Sequence, residues 1–506
     1  MRLTPCQATL AAAIGLNLLL LLLLLFSSAA WQRGAVPGRT SPSCRPPARL
    51  GPGVTVVLRD FEEFENDLTG TVRSFSALPG VPVLVAAEAL PYPPVPLPSG
   101  VGLLRLMPTA ERPPPRPELH VRTQHIALVP DGTRGAPGLL ERLRDELEAA
   151  AAAGGGDGDG GAVRLVAAPV GTGPLRCLQL RVEPREWTVK YSPGSSAVPG
   201  RCQAVEGTAV ILLRTRDLFS LPFPLSRPVP TALFVQAALR GWDLRLVPAA
   251  VFPAARRPPG SPHNRWKAES LAEERRVRLM EELGVKREVL ADGGERWYGC
   301  GKATARCFGT VHADTPRYLL EDRWTPPCCL RALRETARHV AGVLEATGVR
   351  YWLEGGSLLG AARYGDIIPW DYDVDLGIYR EDVGKCRWLA AAAAGRAVED
   401  AEGFLWEKAA EGDFYRVHYS RSNRLHVDLW PFYRRGETMT KDTWLGHRQD
   451  VEFPERFLLP RLPVPFAGFT AMAPNDPRGF LELKFGPGVI EKPEYPNPAV
   501  KRLAEG

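Results

Sequence analysis

Tyr351-Trp352-Leu353-Glu354-Gly355-Gly356-Ser357-Leu358-Leu359-Gly360-Ala361-Ala362-Arg363, with Ile367-Ile368-Pro369-Trp370-Asp371-Tyr372-Asp373-Val374-Asp375-Leu376-Gly377 after it, is the stretch from which the chain is read. It runs as an apolar strand, a glycine pair, a short apolar helix and an acidic strand. Alternate residues of a strand point to one side. Asp371, Asp373 and Asp375 therefore share a face, with Tyr372, Val374 and Leu376 turned the other way. A row of like charges is costly unless a cation offsets it. Carboxylate oxygens suit a hard divalent ion such as magnesium, which shares its shell with substrate phosphates. Alternate residues sit about 6.6 Å apart on a regular strand, so one ion takes Asp373 and Asp375 directly. Asp371 joins only if the strand bends, and Pro369 makes an irregular start plausible. Gly355 and Gly356 let backbone approach a phosphate at a helix start, next to Ser357. A metal beside a phosphate cradle points to phosphoryl-type transfer from an activated nucleotide. Gly355 to Ser357 and Trp370 to Asp375 are the candidate substrate contacts.

The flanking sequence supports the same core. Leu330, Leu333, Ala337, Val340 and Leu344 recur at helical spacing, and Val349–Leu353 reads as a strand feeding the glycines. Arg363 follows one turn after them, as a bidentate phosphate ligand or as a structural partner of Asp366. In Leu425-His426-Val427-Asp428-Leu429, Asp428 supplies another carboxylate from a second strand. It serves as metal ligand, as general base for an acceptor hydroxyl, or in a buried ion pair. His447, Arg448 and Gln449 are candidates for the nucleotide or the second phosphate, and Lys484 is a further basic candidate.

The glycine turn and alternating aspartates resemble the nucleotidyltransferase-fold signature. The wording of 351–363, 367–377 and His426-Val427-Asp428-Leu429-Trp430-Pro431-Phe432-Tyr433 resembles the LicD/fukutin family, which includes bacterial phosphocholine transferases and the animal fukutins. The resemblance implies transfer of ribitol 5-phosphate from CDP-ribitol to ribitol 5-phosphate on the O-mannosyl glycan of α-dystroglycan, with release of CMP. It also implies a catalytic Mg2+, a homo-oligomer and contact with fukutin. Nothing in composition or spacing selects ribitol over choline or glycerol. Two rivals stand beside this activity: a nucleotidyltransferase releasing pyrophosphate, and a non-catalytic scaffold for Golgi glycan enzymes.

The remaining chain frames that domain. Its 506 residues suffice for two or three domains, and a net charge of +6 without a basic stripe argues against a nucleic-acid binder. Residues 1–7 form a cytosolic tail, 8–30 an uncharged run long enough to span a bilayer, and 31–50 a Pro- and Arg-containing tether. Cleavage at Ser28-Ala29-Ala30 is the alternative to an uncleaved signal anchor. The resemblance implies a single-pass type II Golgi membrane protein with a luminal catalytic domain. Strand-like runs alternating with helices over 51–290 predict an α/β, glycosyltransferase-like stem with a parallel sheet. Its Asp131 stands alone at a strand end, and Asp157 and Asp159 sit in a glycine-rich surface loop. A charged helix over Trp266–Leu283 is expected to bridge to the catalytic domain, 291–506. Cys177 and Cys202 form a plausible disulfide in an oxidising compartment. Cys300, Cys307, Cys328 and Cys329 fit either tetrahedral Zn2+ or two crossing disulfides. The resemblance implies a structural zinc shaping the loop 300–329.

Overall fold

The apolar runs of the first half form an eight-stranded sheet in the order 102–105, 83–87, 51–58, 123–128, 209–214, 162–169, 242–246, 201–202. The first four strands are parallel, as the helix–strand alternation predicts. The sheet is nevertheless mixed, because Ala209–Arg214 runs antiparallel to both of its neighbours. Helices Leu68–Ser76 and Leu139–Ala153 contribute to the core on one face. Helix Val229–Leu239 and a five-stranded sheet containing Arg176–Glu183 and Thr188–Pro193 contribute to the other. Cys177 and Cys202 are joined as a disulfide, with Cα atoms 5.5 Å apart.

The computed structural model describes residues 50–492 except 90, 92–93, 109–112, 154–160, 195–199, 257–260, 310, 313–314 and 448. From Gly51 onward they belong to one compact unit. The expected tail, anchor and all but the last residue of the tether lie outside the described residues, as do Asp157, Asp159 and Arg448. Among the described residues no helix is long and apolar enough to cross a membrane.

The second half has its own core, beginning at Cys300. Its sheet runs Tyr351–Leu353, Val374–Tyr379, His426–Arg435, Tyr415–His418, Leu405–Lys408, Val398–Glu399. Only Val374–Tyr379 and His426–Arg435 pair in parallel along this path, which sets Asp375 opposite Asp428. Helix Pro327–Thr347 buries Leu333, Val340 and Leu344 in this core, each worth about 1.5–3 kcal/mol relative to exposure. Helix Gly355–Tyr364 and helix Pro477–Phe485 pack against one another beside the glycine turn.

The charged helix forms over Pro262–Glu282. It buries Leu279 and Met280, Arg275 and Arg276 pair with Glu62 and Glu288, and Arg276 Nε also donates to Tyr298 Oη at 3.3 Å. Pro184–Trp187 is a tight turn whose Trp187 packs against the catalytic core.

Candidate active site

The acidic segment is not one regular strand. The strand begins at Val374, so Asp371 and Asp373 occupy an irregular lead-in and only Asp375 lies in the ladder. Asp371 N–H donates to Ile368 O at 2.9 Å, turning the chain after Pro369. Its Oδ1 accepts from Tyr372 N at 3.0 Å. The bend brings the carboxylate to the glycine turn: a Cβ on Gly356 would lie 3.1 Å from Asp371 Oδ2. Gly355, at φ +49°, adopts a left-handed conformation that side chains disfavour. Both glycines are thus explained by the close approach of carboxylate and helix start.

Asp375 is held from three sides. Its N–H donates to Ser357 Oγ at 2.8 Å, its carbonyl accepts from Glu354 N at 3.0 Å, and Trp430 Nε1 donates to its Oδ1 at 2.8 Å. Ser357 therefore contributes by orienting an acid. The Trp430 ring stacks on Phe414 at 4.1 Å, and Lys441 Nζ lies 3.9 Å from its centroid. Lys441 is buried and pairs with Asp450 at 2.8 Å. A cation on the ring face is favourable in such a desolvated setting.

Asp428 completes the cluster. Arg416 Nε donates to its Oδ1 at 3.0 Å and Nη2 to its Oδ2 at 3.4 Å, while His426 Nε2 stands 3.8 Å away. Burial raises Asp428 to about 6 despite that guanidinium. Burial likewise raises Asp371 to about 6, and burial with repulsion from Asp428 raises Asp375 to about 7. Asp373 is pushed well above the carboxylate range by burial and then by Asp375, Asp371 and Asp428. Four acids that resist joint ionisation, presenting only hard oxygen donors, fit a divalent cation of the magnesium class.

Several expected contacts lie elsewhere. Arg363 does not face the cluster: its guanidinium donates to Ile490 O at 3.1 Å, to Val489 O and to Lys492 O at 3.3 Å. Asp366 takes Arg334 instead, at 2.8 Å. Lys484 is buried rather than presented to a phosphate, and it pairs with Glu354. Glu354 Oε2 also accepts from Trp352 Nε1 at 2.7 Å, so this lysine works beneath the glycine turn. Val374 is fully buried in the core, so its side chain cannot touch substrate. Trp370 packs 6.5 Å from Trp324, and Tyr372 meets Phe308 edge-on at 5.7 Å. His447 and Gln449 are half-buried in the loop that Lys441 and Asp450 close.

The four cysteines do converge. Cys300 pairs with Cys328 and Cys307 with Cys329 as disulfides. The sulfurs of Cys300, Cys307 and Cys329 all lie within 4.8 Å of one another, a cluster able to hold a metal. Asn423 Nδ2 donates to Cys300 O at 3.3 Å and Gly301 O at 3.1 Å, tying this loop to the catalytic sheet.

The chain matches the family model described as the fukutin-related protein stem domain over residues 40–291. The model for the LicD/FKTN/FKRP nucleotidyltransferase domain matches 348–476. The human protein named ribitol 5-phosphate transferase FKRP is 58% identical over 511 residues, covering 99% of each chain. The chain belongs to the fukutin-related protein family. The mouse protein of that name is 57% identical over the full length of both chains. Human ribitol-5-phosphate transferase FKTN is 26% identical over 195 residues, 38% of this chain and 39% of its own. In this fukutin-related protein family member the nucleotidyltransferase match spans both the glycine turn and Asp428, and so contains the whole acidic cluster.

Glu354, Arg416, Trp430 and Lys441 were missed as site residues. Glu354 and Trp430 stood inside the quoted motifs. Arg416 carried no such signal, because its pairing with Asp428 is made across strands. Lys441 carried none, because its aromatic partners are distant in sequence.

Proposed function

We propose that this protein is a ribitol 5-phosphate transferase. It moves ribitol 5-phosphate from CDP-ribitol to ribitol 5-phosphate on the O-mannosyl glycan of α-dystroglycan and releases CMP. The observation that carries the reading is the convergence of Asp371, Asp373, Asp375 and Asp428 at the glycine turn. It occurs in a chain matched end to end by relatives named for that transfer. The acceptor hydroxyl attacks the phosphorus bearing ribitol, and the phosphorus–oxygen bond to CMP breaks on the opposite side. Asp371, Asp373 and Asp375 would hold a divalent cation, magnesium by donor type. That ion, when bound, neutralises charge on the diphosphate and on departing CMP. Asp428, raised to about 6 by burial, takes the acceptor proton at a carboxylate oxygen while Arg416 keeps it aimed at the cluster. Gly355 and Gly356 admit the diphosphate close to backbone, and Trp430 and Ser357 fix Asp375.

Cys300, Cys307, Cys328 and Cys329 serve structure in either state, as two disulfides or, reduced, as ligands of one zinc ion. The donor chemistry of the clustered sulfurs supports zinc. Metal content of protein purified without reductant separates the two. The apolar run 8–30 serves as a Golgi signal anchor, leaving the site luminal, and the working form is a homo-oligomer that meets fukutin. Incubation with CDP-ribitol and a ribitol-phosphate acceptor, with and without chelator, tests the activity. CMP release with a matching gain in acceptor mass, lost on chelation, supports it. Pyrophosphate release, or no cation dependence, overturns it.

A further inference from the structure

Two segments far apart in sequence meet at the seam between stem and catalytic core. Pro184–Trp187 closes the hairpin between stem strands Arg176–Glu183 and Thr188–Pro193. Asp322–Thr325 leads into helix Pro327–Thr347. Trp187 Nε1 donates to Trp324 O at 2.8 Å, and Trp324 N donates to Arg185 O at 2.9 Å. Arg323 lies over the Trp187 ring, 3.2 Å from its centroid, and its Nε donates to Pro184 O at 3.0 Å. Arg185 also grips Asp322 at 2.7 and 2.6 Å, but both partners are about half exposed, so that pair adds little. The strap is held chiefly by the indole, the guanidinium stacked on it and the backbone bonds.

Thr325 is where the strap enters the active site. It is 2% exposed. Its N–H donates to Pro369 O at 3.1 Å and its Oγ1 to Asp371 O at 2.6 Å. Tyr318 Oη lies 2.9 Å from the same hydroxyl. Since the threonine proton is used on Asp371, the tyrosine is the donor. Both bonds land on the irregular lead-in that carries Asp371 to Gly356, a segment outside the sheet ladder.

We infer that the stem is a working part of the catalytic centre: Trp187, acting through the Asp322–Thr325 strap, positions Asp371 for the cation. Thr325 and Trp187 are positioning residues, and neither touches substrate. The inference rests on the cation reading above. A side chain that presets a ligand improves affinity for the ion by sparing its ordering on binding.

Mn2+ binding to the full chain, read from the paramagnetic signal of free ion, tests this. Thr325→Val removes both hydrogen bonds of the buried hydroxyl, to Asp371 O and from Tyr318 Oη, and weakens Mn2+ binding roughly threefold to tenfold. Transfer at saturating Mn2+ stays near the parent rate, so the loss falls on the half-saturating cation concentration rather than on turnover. Thr325→Ser restores binding. Trp187→Phe, which keeps an aromatic ring under Arg323 but loses the N–H and part of the indole's packing, shifts binding the same way by less. Parent-like Mn2+ binding by Thr325→Val and Trp187→Phe, with none by Asp373→Asn, overturns the inference and leaves the cation reading standing. Parent-like binding by Asp373→Asn overturns the cation reading, and the inference with it.

Discussion

Both halves of the molecule place acids at the ends of sheet strands, and they treat those charges oppositely. In the stem, Asp131 accepts from Asp67 N at 2.9 Å and from Thr71 Oγ1 at 3.4 Å. Nearby, Arg227 answers Asp60 and Glu62, Arg275 answers Glu62, and Arg59 answers Glu88 at 3.0 Å. In the catalytic half, Asp371, Asp373, Asp375 and Asp428 crowd together with Arg416 bound to only one of them. The stem balances its buried charge internally and keeps a fold. The catalytic site leaves a deficit that an outside cation can fill, which is how pKa shifts come to mark function.

The sharpest way to break this contrast is Asp373→Asn. Transfer should fall by about a thousandfold, the scale of losing a group that stabilises transferred charge. The same variant should melt no lower than the parent without cation, because it removes a repelled charge. Transfer within tenfold of the parent would dissolve the distinction between the two halves. Next in size, Lys484→Met leaves Glu354 buried without its cation and should cost about 3 kcal/mol in urea unfolding. Adding Glu354→Gln should recover most of that loss; no recovery would mean the pair is not what supports the turn.

A smaller effect follows from pH. Asp371 and Asp428, near 6, and Asp375, near 7, keep protons that the unfolded chain has already released. The native state binds more protons between the ordinary carboxylate range and pH 7, so cation-free stability declines as pH rises through that window. Divalent cation should therefore raise the melting temperature by several degrees at pH 7.5 and little at pH 5. Equal shifts at both pH values would contradict the assignment of these acids. Smallest is Asp131→Asn in the stem, where an amide oxygen still accepts from Asp67 N. It should cost about 1 kcal/mol in unfolding and leave transfer unchanged.

What could be read without the structure followed local pattern. Apolar runs located the stem strands, and Gly355-Gly356 with the alternating aspartates located the cluster, because period and turn chemistry act over a few residues. The strand carrying Asp428 was legible for the same reason, and its register sets Asp428 opposite Asp375. Partners far apart in sequence were not legible. Arg363 and Lys484 looked like phosphate ligands because exposed and buried basic residues are written alike. Only tertiary contact shows that one binds carbonyls 126 and 127 residues away and the other a glutamate beneath the turn. The bend at Asp371 was foreseen as a condition, from Pro369, but the Thr325 hydroxyl that fixes it was not, since 46 residues separate them. Periodicity placed the charged helix correctly and said nothing about which half it would pack on.

Crystals of the full chain grown with Mn2+ and CDP-ribitol, with anomalous scattering recorded for the ion, test the central claim most directly. The account predicts a manganese peak among the carboxylates of Asp371, Asp373 and Asp375 with the donor diphosphate at Gly355 and Gly356. A donor seated elsewhere, or a diphosphate at the turn with no ion among those acids, would contradict it.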